Sequence, residues 1–264
     1  MNTTRVFTRI TTFSIFFFLL FSISNAQTPA GTPVKDVEYT FNQSDGTNAC
    51  AVAWNPGAQI YITVIAGNES FPMEGFNTSG KMVFSAQANF DWRGLWYNPV
   101  TMQMEGNGAG ELGWTSFKLN NNNTPSAPLT LFLGQHQPDF QSVGAYNYSK
   151  KQVIFLNPDF SSIALYSIEK PRKIKKVTLK WGDVSTSGIN TNSVGFTGVK
   201  GFEYVLLDYV SGKLIFFNAK GVNTASRTLP AGAPLNDSFA FSFTNGRAFL
   251  YDKNARTWYG YKVF

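Results

Sequence analysis

The segments FDWRGLWYNP, Phe90 to Pro99, and FQSVGAYNYS, Phe140 to Ser149, superimpose with Phe90 over Phe140, Gly94 over Gly144 and Trp96 over Tyr146, a shift of 50 residues. Each reads as a short apolar strand running into a turn. Stepping back 43 residues from Gly94 reaches Ala51, where AVAWNPGAQIYI repeats the strand, the Asn-Pro turn and a second apolar strand. Further on, YVLLDYVSGKLIFF (Tyr204 to Phe217) and FAFSFTNGRAFLY (Phe239 to Tyr251) follow the same scheme through Ser-Gly and Asn-Gly turns. Both dipeptides tolerate the positive φ of a tight hairpin. A scheme recurring at near-constant intervals is the sequence signature of a repeat architecture.

With Trp54, Tyr97, Asn147, Asp208 and Thr244 as equivalent residues before each turn, the intervals are 43, 50, 61 and 36 residues. Five units then share residues 27–264 at about 48 residues each, the length of a four-stranded antiparallel propeller blade. The longest interval contains the loop GDVSTSGINTNSVG and a basic stretch, so an insertion is expected there. The unit, in forms such as WYNPVTMQM, DYVSGKLIFF and TNGRAFLYD, resembles the Y-[ND]-x-x-[TS]-G-x-Φ core of Kelch, NHL and related propeller repeats. The resemblance covers most of the chain after residue 26. It is one of architecture, since the Kelch double glycine and the WD dipeptide are absent.

The expected fold is therefore all-β, a five-bladed β-propeller of four-stranded antiparallel blades. Pairing of VEYTF near the start with TWYGYKVF at the end would close the ring and remove exposed sheet edges. No window places apolar residues at helical spacing over three turns. An outer-membrane barrel and a two-sheet sandwich or jelly roll are the alternative all-β arrangements. Most apolar runs here last five to seven residues, short of the about 9 to 11 that a membrane-spanning strand needs.

Arg5 and Arg9, the apolar run FSIFFFLLFSI from Phe13 to Ile23, and the small residues Ser24 and Ala26 form the three parts of a secretory signal peptide. Residues 1–26 are read as that signal, cleaved before Gln27, and residues 27–264 as a single domain. The expected location is secreted, periplasmic or cell-surface. No later run is long enough to cross a bilayer as a helix. Removing the signal lowers the formal net charge from +6 to +4, because two arginines leave with it. Cys50 is the only cysteine, which excludes an intrachain disulfide, and its setting in ACAVAW reads as a buried thiol. Sequons at Asn42, Asn68, Asn77, Asn147 and Asn236 would be glycosylated only in a eukaryotic host.

His136 is the only histidine, and neither a G-x-S-x-G elbow nor a G-x-x-x-x-G-K-[ST] loop is present, so no cofactor and no metal are expected. Carboxylates are the remaining catalytic resource. Asp45, Asp91, Asp139, Glu203 and Asp237 lie five to nine residues before the turn reference of their units, in the connections leading into the inner strands. In a propeller those connections share one face. A ring of acids there would bind a cation or supply the acid and base of a glycoside hydrolase, unless each acid merely caps its own turn.

Asp91-Trp92-Arg93 is the most unusual triplet. It suits a sugar stacked on the indole and held by the charges, or a packed blade tryptophan beside a structural ion pair. Lys170, Arg172, Lys173, Lys175 and Lys176, with Lys180 just beyond, form either a polyanion patch or a solvated strand. The functional expectation is an exported, non-catalytic propeller presenting loops to a protein or glycan ligand. The alternative is a carbohydrate-active enzyme using paired carboxylates. Export makes nucleic acid the least fitting partner.

Overall fold

Runs of apolar residues bounded by Asn, Asp, Gly and Pro become twenty strands in a computed structural model that describes residues 28, 29 and 31–264. The segment read as a signal peptide lies outside the described residues. Blade 1 contains β2 (Asn48–Asn55), β3 (Ile60–Ala66), β4 (Pro72–Asn77) and β5 (Met82–Gln87), paired in that order. Blade 2 contains β6 (Trp92–Asn98), β7 (Gln103–Gly108), β8 (Trp114–Phe117) and β9 (Leu129–Phe132). Blade 3 follows with β10 (Ala145–Asn147), β11 (Gln152–Leu156), β12 (Ser162–Ser167) and β13 (Lys173–Thr178). Blade 4 has β14 (Gly195–Phe196), β15 (Tyr204–Asp208), β16 (Lys213–Phe217) and β17 (Asn223–Thr228). In blade 5, β18 (Phe241–Thr244), β19 (Arg247–Asp252) and β20 (Thr257–Lys262) are completed by β1 (Val34–Thr40).

The order β1-β20-β19-β18 is the expected ring closure: the first strand pairs antiparallel with the last, from Val34 opposite Lys262 to Thr40 opposite Thr257. Arg247 reinforces it with a two-pronged contact to Asp36, whose nearest N–O distance is 2.7 Å. All sheets pair antiparallel within a blade, so the five-bladed propeller stands and the closed barrel and the sandwich do not.

Position within a blade explains the sequence patterns. β3, with sequence IYITVIA, is buried along its whole length because neighbouring blades cover both of its faces, and a continuous apolar run results. The outer strands β13 and β17 face solvent and are largely polar. Between blades 1 and 2 the core holds Trp92, Phe117, Cys50 and Ile62. Between blades 2 and 3 it holds Trp96, Trp114, Phe155 and Tyr166.

The structure corrects the expected alignment in blade 4. YVLLD is its second strand, β15, and the inner strand is the two-residue β14 within VGFTGV. The residue equivalent to Trp54, Tyr97 and Asn147 is therefore Thr197 rather than Asp208. The last intervals become 50 and 47 residues, and the expected insertion disappears.

The repeated glycines mark close approach of inner strands. A Cβ on Gly94 would lie 2.5 Å from the backbone of Gly144, so β6 and the start of β10 touch where neither tolerates a side chain. Asn107 pins the same junction: its Oδ1 accepts from the Gly144 amide at 3.0 Å and its Nδ2 donates to the Ser142 carbonyl at 2.8 Å.

Candidate functional site in the central channel

The inner strands β2, β6, β10, β14 and β18 surround the central axis, and each is the free edge of its own sheet. Backbone groups of an edge strand that have no ladder partner are available to side chains or to a ligand. Part of this capacity is used internally. Ser242 accepts from the Val52 amide at 3.2 Å and donates to the Val52 carbonyl at 2.9 Å, and Thr244 accepts from the Trp54 amide at 3.2 Å.

The two ends of the channel differ. On the crossover face, where the chain passes from one blade to the next inner strand, a β-bulge between Trp92 and Gly94 makes Arg93 the unpaired residue. Bulges re-aim side chains. The Arg93 guanidinium contacts Asp91 at 2.5 Å, donates from Nε to Gln141 of the blade 3 connection at 2.5 Å, and lies 5.8 Å above the ring of Phe239. Phe239 leads into blade 5, which is not a neighbour of blade 2, so this side chain reaches across the channel. Asn190 ties the remaining connections together by donating to the carbonyls of Asn236 and Phe239 at 3.0 and 2.8 Å. Arg93 and Asn190 are buried, and they close this end.

On the opposite face, where the inner strands end in hairpins, the channel widens into a cavity of about 490 Å³. Trp96, Tyr146, Phe196 and Phe243 form its wall at equivalent positions of blades 2 to 5. Trp54, Tyr97 and Tyr148 form its rim; Tyr148 is 54% exposed. The rim aromatics are held in place. Trp54 leans on Tyr61 with ring centroids 4.5 Å apart, and Tyr148 meets Phe196 edge to face at 5.3 Å. Thr197, Ser242 and Thr244 bring hydroxyls, those of Thr197 and Ser242 already donating to the Phe202 and Val52 carbonyls at 2.7 and 2.9 Å. Among the described residues lining the cavity there is no carboxylate, imidazole, ammonium or guanidinium.

Glu105 lies behind the wall. It is buried and accepts from Trp96 Nε1 at 3.3 Å, Asn98 Nδ2 at 2.9 Å and Thr101 Oγ1 at 2.9 Å. Burial raises its carboxyl above the ordinary glutamate value, against the opposing pull of those three donors. Burial likewise raises the Cys50 thiol to about 12; the group packs between blades 1 and 2, where the thiol donates to the carbonyls of Val64 and Trp92. It is a packing group, not a nucleophile.

The five acids singled out in the sequence do not all share one face of the propeller. Asp45, Asp91, Asp139 and Asp237 do lie on the crossover face. Glu203 does not: it sits in the β14–β15 hairpin on the opposite face, accepting from the Gly201 amide at 3.0 Å, and blade 4 uses Asn190 at the crossover instead. Asp139 accepts from the Gln141 amide at 2.9 Å as a turn cap, and Asp91 is engaged by Arg93 and by the Gly67 amide. Among the described residues no group of three or more acidic, histidine or cysteine side chains is placed to hold a metal ion.

Trp92 also departs from the ligand-stacking expectation. It is fully buried in the seam between blades 1 and 2, edge to face with Phe90 and Phe117 at 5.0 and 5.6 Å. Lys170, Arg172, Lys173, Lys175 and Lys176 are exposed on the hairpin leading into β13 and on β13 itself. His136 lies in the connection before β10, with Nε2 at 2.7 Å from the Leu133 carbonyl.

The sequence reading missed Arg93's reach, Asn107, Glu105 and the aromatic wall. The wall had a signal. The shift of 50 that places Trp96 over Tyr146 places Tyr146 over Phe196 when repeated.

No protein-family model matches the chain, and no curated protein matches it. Among solved structures it resembles the glutaminyl cyclase of Myxococcus xanthus, with 11% identity, a TM-score of 0.55, and coverage of 88% of this chain and 98% of that one. It also resembles a gluconolactonase of Xanthomonas campestris, with 9% identity, a TM-score of 0.52, and coverage of 92% and 99%. At these identities the likeness is one of propeller fold.

Proposed function

We propose that the protein is an exported binding protein that holds an uncharged, ring-bearing ligand of saccharide size in the hairpin-face cavity. The observation that carries this reading is the pairing of a 490 Å³ aromatic cavity with a lining free, among the described residues, of charged side chains. Ligand pockets of about 300 to 1,000 Å³ combine apolar walls with a few placed polar groups. Aromatic faces accept the apolar face of a sugar or a flat ring, while hydroxyls and free strand edges fix its orientation. The segment 1–26 supports export to the periplasm, the cell surface or the medium.

A hydrolytic role has less support. A glycoside hydrolase needs two carboxyl groups about 5 to 9.5 Å apart across the bond it cleaves. The crossover-face acids serve as turn caps, as an Arg93 partner, or are exposed. The two structural relatives are enzymes by name, so turnover belongs in the same assay as binding. The test is a titration of chain 27–264 with neutral saccharides and small aromatic compounds, followed by tryptophan fluorescence. Saturable binding weakened about tenfold or more by Tyr148→Ala is expected, a loss of about 1.4 kcal/mol. Turnover abolished by Asp91→Asn or Asp139→Asn would favour the enzyme instead.

A further inference from the structure

The outermost strand of every blade occupies the same place, at the free edge of its sheet, so the five edges compare directly. β5 and β9 carry no charged residue, β17 carries Arg227 alone, and β1 sets Lys35 beside Asp36 and Glu38. β13 carries Lys173, Lys175 and Lys176, with Lys170 and Arg172 in the turn before it and Lys180 two residues beyond its end. All six are exposed. Among the described residues none has a carboxylate within salt-bridge distance. Lysines on a free edge discourage pairing with another chain. The other four edges do without such a run, so edge protection does not account for it.

At about 3.3 Å per residue, the cations from Arg172 to Lys180 extend over roughly 25 Å along one edge. A row of that length matches a partner whose negative charges repeat along a chain, rather than a single anion. The large apolar side chain exposed on the strand is Ile174, at 44%, which is little surface for insertion into a lipid interface. We infer that the free edge of blade 3 is a docking surface for a linear polysaccharide bearing carboxylate or sulfate groups. This surface is separate from the uncharged cavity and does not depend on what fills it.

Dextran sulfate and polygalacturonate separate the sulfate and carboxylate sources, neutral dextran is the control, and phosphatidylglycerol vesicles test a lipid partner. Each is titrated against wild-type chain, the triple variant Lys173→Gln/Lys175→Gln/Lys176→Gln, and Lys81→Gln/Lys118→Gln/Lys262→Gln, which removes equal charge from blades 1, 2 and 5. The expected result is salt-sensitive binding of at least one polyanion, weakened about tenfold or more in the blade 3 variant and little changed in the other. Circular dichroism and melting verify that both variants fold, as expected for changes at exposed positions. Absence of polyanion binding at low salt, equal weakening in both variants, or binding to vesicles without binding to either polysaccharide would overturn the inference.

Discussion

In β6 the side chain of Trp92 goes into the seam between blades 1 and 2, while that of Arg93, set off by the bulge, spans the channel. Adjacent residues thus serve packing and closure. Trp92→Ala should cost about 3 to 5 kcal/mol, as truncation of a buried aromatic does. An unchanged melting temperature would show that Trp92 lies at the surface. Glu105 gives a second residue-level test. Its carboxyl is raised by burial, so the native state binds the proton more tightly than the unfolded chain. That contribution to stability is fully present below the ordinary glutamate value of 4.5 and is lost as pH rises through the higher folded value. Wild type should therefore lose stability relative to Glu105→Gln as pH rises through that window. Parallel melting curves from about pH 4 to 8 would contradict the assignment.

At the scale of the element, β20 lies inside blade 5, paired with β19 on one side and β1 on the other. Deleting Thr257 to Phe264 removes both ladders together with the buried Trp258 and Tyr261, and should abolish the cooperative melting transition. A truncated chain melting like wild type would refute closure of the ring by its two ends. Closure was legible in the sequence because apolar strands stand at both ends of the repeats. Blade 4 was not read correctly, for a physical reason. Its inner strand has only two paired residues, Gly195 and Phe196, and glycine contributes no apolar side chain, whereas YVLLD is fully buried and looks like the start of a unit. Gly195 is present because a Cβ there would lie 2.4 Å from that of Phe243 in β18. Spacing from Trp96 and Tyr146 locates this strand where apolar content does not. The site was less legible than the fold. Acids in the crossovers follow the repeat because they cap equivalent turns, and only three-dimensional placement shows Glu203 on the other face and Arg93 across the axis.

At the scale of the whole molecule, one end of the channel is filled by protein side chains and the other is an aromatic cavity. The closed end holds Arg93, Asn190 and the crossover acids, and the open end holds the wall that repeats with the blades. The most direct measurement compares ligand affinity by calorimetry in wild type, in Tyr148→Ala at the open end, and in Asp139→Asn/Asp237→Asn at the closed end. Saturable binding of a neutral ring compound, lost in Tyr148→Ala and retained in the double acid variant, is predicted. Binding lost only in the acid variant, or no binding by any neutral ring compound, would contradict the assignment of the site to the hairpin-face cavity.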